Sequence, residues 1–455
     1  MKKKNSTTIL LLILITLISF VIKIAYINNT EIITPIRADA AQYVLYGYNL
    51  YKHGTYSQAQ APKPTPDSFR SPGFPLLIAL AFNLGGIENF YLYTLLMQTA
   101  LTSLLVPIAY LLARMLLPFW SALFVSLLVA FSPHLISISS YILTESLLSF
   151  LFLTALTCFL YGIRHSNNYL ILLGYIFFGL SYLTNEVTFF IPFVVSGVTL
   201  VYFFYTKQPA KKFFPIKIIL AGLIIFSLFP LGWTIRNSLN VPSNTIKASN
   251  RALNTITHGT YPDFIYKDPT YKYFPYREDP DQPEYSSSFD NFFKIFTQRV
   301  AERPFRYFVW FTIEKPYYLW TWNILQGQGD IYIYPVKYSL FTKYPLANYF
   351  KSFLKYLHIF LHFSIYIGII TLFFDKNRNV NDHNIYVLFS VFLYLSFIYT
   401  VFVPWPRYAI PYRPVFYTLG VWSIYSISLL SHSFKKNKNC RHSRWLRVRR
   451  FKKFE

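Results

Sequence analysis

The sequence predicts an all-α integral membrane protein: a bundle of about ten transmembrane helices whose outer loops carry juxtamembrane and interfacial helices. Three observations carry that expectation. Of the 455 residues, 54% are hydrophobic and only 14% charged, where a soluble domain carries about a quarter charged residues. The apolar residues fall in long blocks, such as TILLLILITLISFVI at 8–22 and YLYTLLMQTALTSLLVPIAYLLA at 91–113. These approach or exceed the roughly 20 residues a helix needs to cross the hydrocarbon core. The short alternating strands of a membrane barrel are not visible. In lipid a backbone must satisfy its own hydrogen bonds, so the blocks read as helices.

The first block follows Lys2, Lys3 and Lys4, and its flank KIAYINNTEIITP offers no small-residue cleavage site. It therefore reads as an uncleaved span rather than a signal peptide. The spans expected are 7–27, 90–113, 118–138, 142–162, 168–184, 187–206, 215–235, 350–373, 384–403 and 413–431. They divide the chain into an N-terminal membrane module (1–235) with a first outer loop at 28–89, a long outer loop at 236–349, C-terminal spans within 350–432 and a basic tail at 433–455. Between 72 and 84 the chain is apolar but too short to cross, which suits an interfacial or re-entrant helix. No internal repeat is evident.

The long outer loop has two halves. From 249 to 285 it is rich in Tyr, Pro and Asp without a clear period and reads as ordered loop. Beyond it, Phe289, Phe292, Phe293, Phe296 and Val300 share one helical face. Pro304 then suits the first turn of another helix, expected to end before Pro316. Both helices suit the aromatic-rich outer interface.

The net charge of +24 invites a nucleic-acid reading, but its placement favours topology. Basic residues gather at the N-terminal lysines, Arg114, Arg164, the turn with Lys207, Lys211 and Lys212, the turn with Lys376 and Arg378, and the tail from Lys435 to Lys453. This is the positive-inside pattern, with both termini cytoplasmic, and the partners it predicts are anionic lipids rather than nucleic acid. The tail, with Trp445 and Phe451, is expected to lie along the membrane surface. Cys158 and Cys440 form neither a disulfide framework nor a metal-ligand spacing.

Ionisable residues at span ends are costly, so each is a functional candidate. Asp39 follows the first span at the start of a short helix bearing Tyr43, and reads either as a helix N-cap or as a catalytic group. Arg70, in FRSPGFPLL, reads as a phosphate clamp or as a snorkelling arginine. Glu145 opens the fourth span and reads as a first-turn carboxylate or a cavity-facing group. Arg236 and Asn237 close the seventh span, and Arg407 and Tyr408 follow the ninth. Positive charge at these outer ends runs against the general trend and points to something anionic outside: lipid headgroups or a phosphate-bearing substrate.

In order and position these residues resemble GT-C type membrane glycosyltransferases, of the bacterial branch related to protein O-mannosyltransferases and lipid A aminoarabinose transferases. The resemblance rests on Asp39 after the first span and the R-x-P-x-x-P element Arg70-Ser71-Pro72-Gly73-Phe74-Pro75. It rests equally on Thr144-Glu145, the W-x-x-R-N element from Trp233 to Asn237, and Arg407-Tyr408-Ala409-Ile410-Pro411. Ala40 follows Asp39 where many protein mannosyltransferases carry an Asp-Glu pair, which counts against protein as the acceptor.

The resemblance implies an inverting enzyme of a multi-pass cell membrane, expected to be a bacterial inner membrane. It takes a sugar from a polyprenyl-phosphate donor and places it on an extracytoplasmic acceptor: lipid A, a glycan or a protein. It implies Asp39 as base, with a proton affinity raised by partial desolvation, and Glu145 as its aid. Tyr43, Arg70, Arg236, Asn237, Arg407 and Tyr408 would bind substrate, the arginines holding phosphate. The apolar helix at 76–84 and the Phe-rich face at 289–300 are candidates to flank the lipid tail. No cofactor is expected. The acidic run Glu278-Asp279-Pro280-Asp281 reads as a solvated loop face, and His258 stands apart from other ligands, so no protein-bound metal is expected either. The alternatives are a flippase of a lipid-linked sugar without transfer activity, or a scaffold subunit.

Overall fold

Long apolar helices dominate the computed structural model, which describes residues 2–60, 62–205, 213–243, 245, 248–325, 327–374 and 383–429. Two basic turns and the tail that carry much of the expected positive charge lie outside these residues. The first long helix, α1 (Lys2–Asn28), leads to a short helix α2 (Ala38–His53), and then to α3 (Gly73–Arg114). Next come α4 (Phe119–Phe131), α5 (Pro133–Ser137), α6 (Glu145–His165), α7 (Asn168–Thr184), α8 (Ile191–Tyr205) and α9 (Phe213–Asn240). After the long loop, α16 (Pro345–Phe374), α17 (His383–Val401) and a helical stretch at 413–429 complete the bundle. The loop itself holds α10 to α15, introduced below where they matter.

Among the described residues seven helices are long and apolar enough to cross a membrane, or eight if α4 and the segment to Ser140 count as one span bent by 42°. The chain is a multi-pass membrane protein, but the described residues do not confirm the expected count of ten, whose last span at 413–431 runs beyond Leu429, the last described residue. The other reasons are local. The 118–138 segment breaks at Ser132 and Pro133, since proline cannot donate to the preceding turn. The α7 helix has 17 residues, short of a full crossing.

The interfacial helix expected at 72–84 is present but continuous with the following span. Gly86, at φ 64° and ψ −170°, makes the bend between them inside α3, a conformation essentially reserved for glycine. Before that bend α3 packs on α2. A Cβ on Gly47 would meet Ile78 at 2.6 Å, so α2 can approach this closely because position 47 has no side chain.

At the end of the bundle where α1 leaves and α3 and α6 begin, the connecting loops knit together. Strands β1 (Glu31–Ile32) and β2 (Val336–Tyr338) pair antiparallel, tying the segment after the first span to the one before α16. The 249–285 region corrects the loop reading: it opens with α10 (Ala248–Gly259), and α11 (Gln282–Tyr285) closes it. The helix α12 (Phe289–Glu302) forms as expected, but Phe292 is buried against Leu253 and Tyr285 while Phe289 and Phe293 are exposed. The helical run that its successor α13 (Pro304–Val309) begins does not stop before Pro316. A π-turn over Trp310–Glu314 leads into α14 (Lys315–Leu319). That turn places Pro316 at a helix start, where its missing N–H costs nothing. A single turn, α15 (Leu340–Lys343), precedes α16. The acidic run is not a uniformly solvated face either. Asp279 is buried, accepts from Tyr261 (2.5 Å) and pairs with Arg299 at 2.8 Å, and Arg299 also reaches Asp281 at 3.1 Å.

Candidate functional site

The side chains singled out around Asp39 converge although they are far apart in sequence. Asp39 lies in the first turn of α2, whose N-cap is Arg37 with no side-chain cap bond, so the carboxylate is not a helix cap. It turns instead to two guanidiniums. Arg70 donates to Asp39 Oδ1 at 2.6 Å, and Arg407 to Oδ2 at 3.0 Å. Arg407 continues to Glu145 Oε1 at 2.5 Å, which makes a chain of four charges from the start of α3 to the start of α6. Arg407 and Glu145 are 7% and 3% exposed, and buried charges are tolerated only when paired and hydrogen-bonded.

Each member is held by its own local structure. Ala38, next to Asp39, has φ 47°, an uncommon backbone state for a residue with a Cβ. Tyr334 fixes it from the long loop, donating to the Arg37 carbonyl (3.1 Å) while the Ala40 N–H donates to Tyr334 Oη (3.4 Å). Arg70 is gripped on both sides. Its Nε and Nη2 donate to Gln42 Oε1 (2.8 and 2.5 Å), one turn beyond Asp39 on α2, and its guanidinium stands 5.2 Å from the Tyr43 ring centroid. Arg407 and Tyr408 sit in the 3-10 segment Pro406–Tyr412 after α17, and Tyr408 stacks on Tyr399 with centroids 5.4 Å apart.

The electrostatics correct one expectation. Burial alone would push the Asp39 carboxyl up, but Arg407 and Arg70 outweigh it and hold it down at about 2. At rest Asp39 is a firmly ionised, weakly basic carboxylate, not one of raised proton affinity.

Asp39, Tyr43, Arg70, Glu145, Arg407 and Tyr408 line one cavity of about 460 Å³. Arg236 and Asn237 do not. Arg236 donates to the Asp67 and Tyr56 carbonyls (2.8 and 3.2 Å) and to Asn237 Oδ1 (2.9 Å). Tyr56 Oη in turn donates to the Arg70 carbonyl (2.8 Å). The W-x-x-R-N element therefore clasps the loop that presents Arg70.

Two charged residues of the cavity escaped the sequence reading. Glu186 stands between α7 and α8, and Arg251 on α10 reaches both of its carboxylate oxygens at 2.8 Å. Glu186 opens a span as Glu145 does, and the same reasoning applied to TNEVTFF finds it. Arg251 lay in the stretch read as loop, although Leu253, Ile256 and Thr257 already follow helical spacing. The apolar part of the cavity wall comes from Leu148, Val187, Phe190, Ile398 and Phe402. Neither the 76–84 helix nor the Phe-rich face of α12 contributes. Among the described residues no cluster of His, Cys, Asp and Glu is arranged to hold a metal ion.

Residues 86–242 match the family model for dolichyl-phosphate-mannose-protein mannosyltransferase. No curated protein sequence matches the chain significantly. Among solved structures, it is similar to the oligosaccharyltransferase AglB from Archaeoglobus fulgidus in complex with an inhibitory peptide and a dolichol-phosphate. That match has 13% identity, a TM-score of 0.53, and covers 96% of this chain and 52% of that one. The Archaeoglobus fulgidus oligosaccharyltransferase tethered with an acceptor peptide gives 13% identity and a TM-score of 0.50, over 93% and 50% of the two chains. ArnT from Cupriavidus metallidurans bound to undecaprenyl phosphate gives 10% identity and a TM-score of 0.42, over 92% and 78%. The chain spans about half the length of the oligosaccharyltransferase chains it matches. It shares the membrane fold of the oligosaccharyltransferase structures, and the match to the mannosyltransferase family model is confined to residues 86–242.

Proposed function

We propose that this protein is an inverting glycosyltransferase that moves a sugar from a polyprenyl-phosphate carrier to an acceptor on the extracytoplasmic side of the membrane. The observation that carries the reading is the cavity itself. One part of its wall holds three carboxylates and three arginines, the other apolar side chains from span ends, and a lipid whose head is a sugar phosphate needs both. The lipid tail would lie along Phe190 and Ile398, beside α8 and α17, which pack on one another.

In the reaction the acceptor hydroxyl attacks the anomeric carbon, and the bond from that carbon to the phosphate oxygen breaks. Asp39 takes the hydroxyl proton, and the polyprenyl phosphate leaves with the bonding pair. Arg70 and Arg407 hold the leaving group. They also hold Asp39, so the base is weak until a phosphate shares their donors. Occupation of the cavity loosens their grip and returns basicity to Asp39 when it is needed. Glu145 keeps Arg407 in place, and no metal enters this account.

The test replaces Asp39 with Asn, which keeps shape and removes the base. Purified wild-type and variant proteins are compared for sugar transfer from a panel of polyprenyl-phosphate sugars to membrane-extract acceptors. Transfer by the wild type and none by a folded variant is expected. Equal transfer by both removes Asp39 from the role, and donor binding with no sugar released by the wild type favours the flippase.

A further inference from the structure

A second cleft, of about 660 Å³, opens beside the donor cavity. It lies between α10, the 3-10 segment after α17, and the loop from Tyr276 to Ser286. Arg251, Thr255 and Tyr408 line both spaces, so the two are neighbours through these side chains. Tyr408 thus stands between the second space and the cavity that Asp39 lines.

Its walls have a distinct chemistry. Three rings meet there: His258 lies 4.2 Å from Tyr276 and 5.1 Å from Trp405, centroid to centroid. His258 is neutral, burial pushing it down to about 3, and therefore adds a ring and not a charge. Around the rings stand the side chains of Asn254 and Gln282, amides that offer both donor and acceptor. The acidic side chain of this wall, Asp279, is taken up by Arg299 and Tyr261. His258 and Trp405 are buried and back the part-exposed ring of Tyr276. Arg251, paired with Glu186, and Arg277 stand on the same wall. One ring edged by amides and a guanidinium suits a flat, apolar-faced, hydroxyl-edged ligand.

We infer that this cleft is the acceptor subsite of the proposed transferase and that it takes a pyranose unit of a glycan. The inference rests on the transferase reading. A peptide acceptor is the less favoured occupant. Peptides that dock as an added strand need an open sheet edge, and aromatic-lined grooves that take peptides take proline-rich ones. Among the described residues the named strands are β1 and β2, which pair with each other, and neither lines the cleft. An acyl-chain acceptor needs a continuous apolar wall, which Arg277, Asp279 and Gln282 interrupt.

The test measures binding by full-length protein in lipid nanodiscs, using saturation-transfer NMR and calorimetry. The probes are short neutral oligosaccharides of hexose and N-acetylhexosamine, and short Ser/Thr peptides. The expected result is saccharide binding by the wild type, weakened by about tenfold or more in Tyr276→Ala, which loses the ring. Tyr276→Phe, which keeps it, should stay within about threefold of the wild type. An unchanged unfolding midpoint in Tyr276→Ala separates loss of the subsite from loss of fold, and Asn254→Ala supplies an independent wall variant. Saccharide affinity that ignores both wall variants overturns the assignment. So does capture of peptide but not saccharide, or of neither. Retention of polyprenyl phosphate by the same wild-type preparation is scored separately. Lipid retained without saccharide sinks this inference alone, and no lipid retained sinks the transferase reading beneath it.

Discussion

The charge chain through Arg407 gives the sharpest prediction. Arg407→Gln leaves Glu145, 3% exposed and otherwise bonded at 2.5 Å to that guanidinium, as a buried carboxylate beside an amide. Removing one partner of a buried pair costs about 3–5 kcal/mol, most of it the burial of the abandoned charge. Glu145→Gln strands Arg407 less severely, because Arg407 keeps Asp39 at 3.0 Å. In the double variant neither stranded charge remains, and the residual cost is that of lost hydrogen bonds, about 1–2 kcal/mol. The two single costs should therefore exceed the double cost by roughly 2–3 kcal/mol. The assay is denaturant unfolding of all four proteins in one detergent, followed by a probe common to each. Additivity within about 0.5 kcal/mol, or a single-variant cost for Arg407→Gln below about 1 kcal/mol, would refute the claim that Arg407 and Glu145 form one buried unit.

Three further outcomes are expected. Arg70→Lys keeps the charge but loses the fork that grips Asp39 and Gln42 together. Transfer should fall by about tenfold or more with little change in stability, and an unimpaired lysine variant would remove the fork from the mechanism. Because the folded-state value of Asp39 lies at about 2, below its ordinary value, its contribution to stability is present above that ordinary value and lost as pH falls through about 2. The wild type should exceed Asp39→Asn by about 1–2 kcal/mol near neutral pH, allowing for partial exposure of Asp39. A gap that widens as the medium is acidified would reverse the sign and overturn the argument. Gly86→Ala meets open space but a forbidden backbone angle, so it should lower unfolding stability by about 1–3 kcal/mol. A neutral result would mean that the bend does not depend on glycine.

Much of this architecture was legible because the membrane simplifies the reading. Long apolar blocks have few alternatives to helices, and an ionisable residue at a span end is conspicuous against them. That contrast exposed Asp39, Arg70, Glu145 and Arg407, which the fold then joined. It failed where the contrast was weak. Arg251 lies in a polar, tyrosine-rich stretch where one more charge draws no attention, and the helical spacing of Leu253, Ile256 and Thr257 is easily passed over among its prolines and tyrosines. Arg236 was conspicuous for the right reason, but its donors already have partners. An arginine at a span end signals a need for acceptors, and the Asp67 and Tyr56 carbonyls meet that need as well as a phosphate does. The proton affinity of Asp39 was misread because burial was foreseen without its two arginines.

On the proposed reaction, charge conservation explains why a resting base should be held by the same arginines that receive the leaving group. The cavity contains three carboxylates and three arginines and is balanced before substrate arrives. A phosphodiester donor brings one negative charge. The phosphate monoester released carries about two near neutral pH, and the additional charge appears beside Arg70 and Arg407. On the proposed reaction, Asp39 gains its proton in the same step. The arginines lose one anionic partner as they gain a stronger one, and the site's total charge does not change. Stabilisation then grows along the reaction coordinate instead of being spent on the bound substrate, which is the requirement for an interaction to raise the rate. A lysine pair would supply the charge without the two-sided geometry. Arg407, bonded to Asp39 through one nitrogen and to Glu145 through another, can exchange the first bond for a phosphate oxygen while the second keeps it in register.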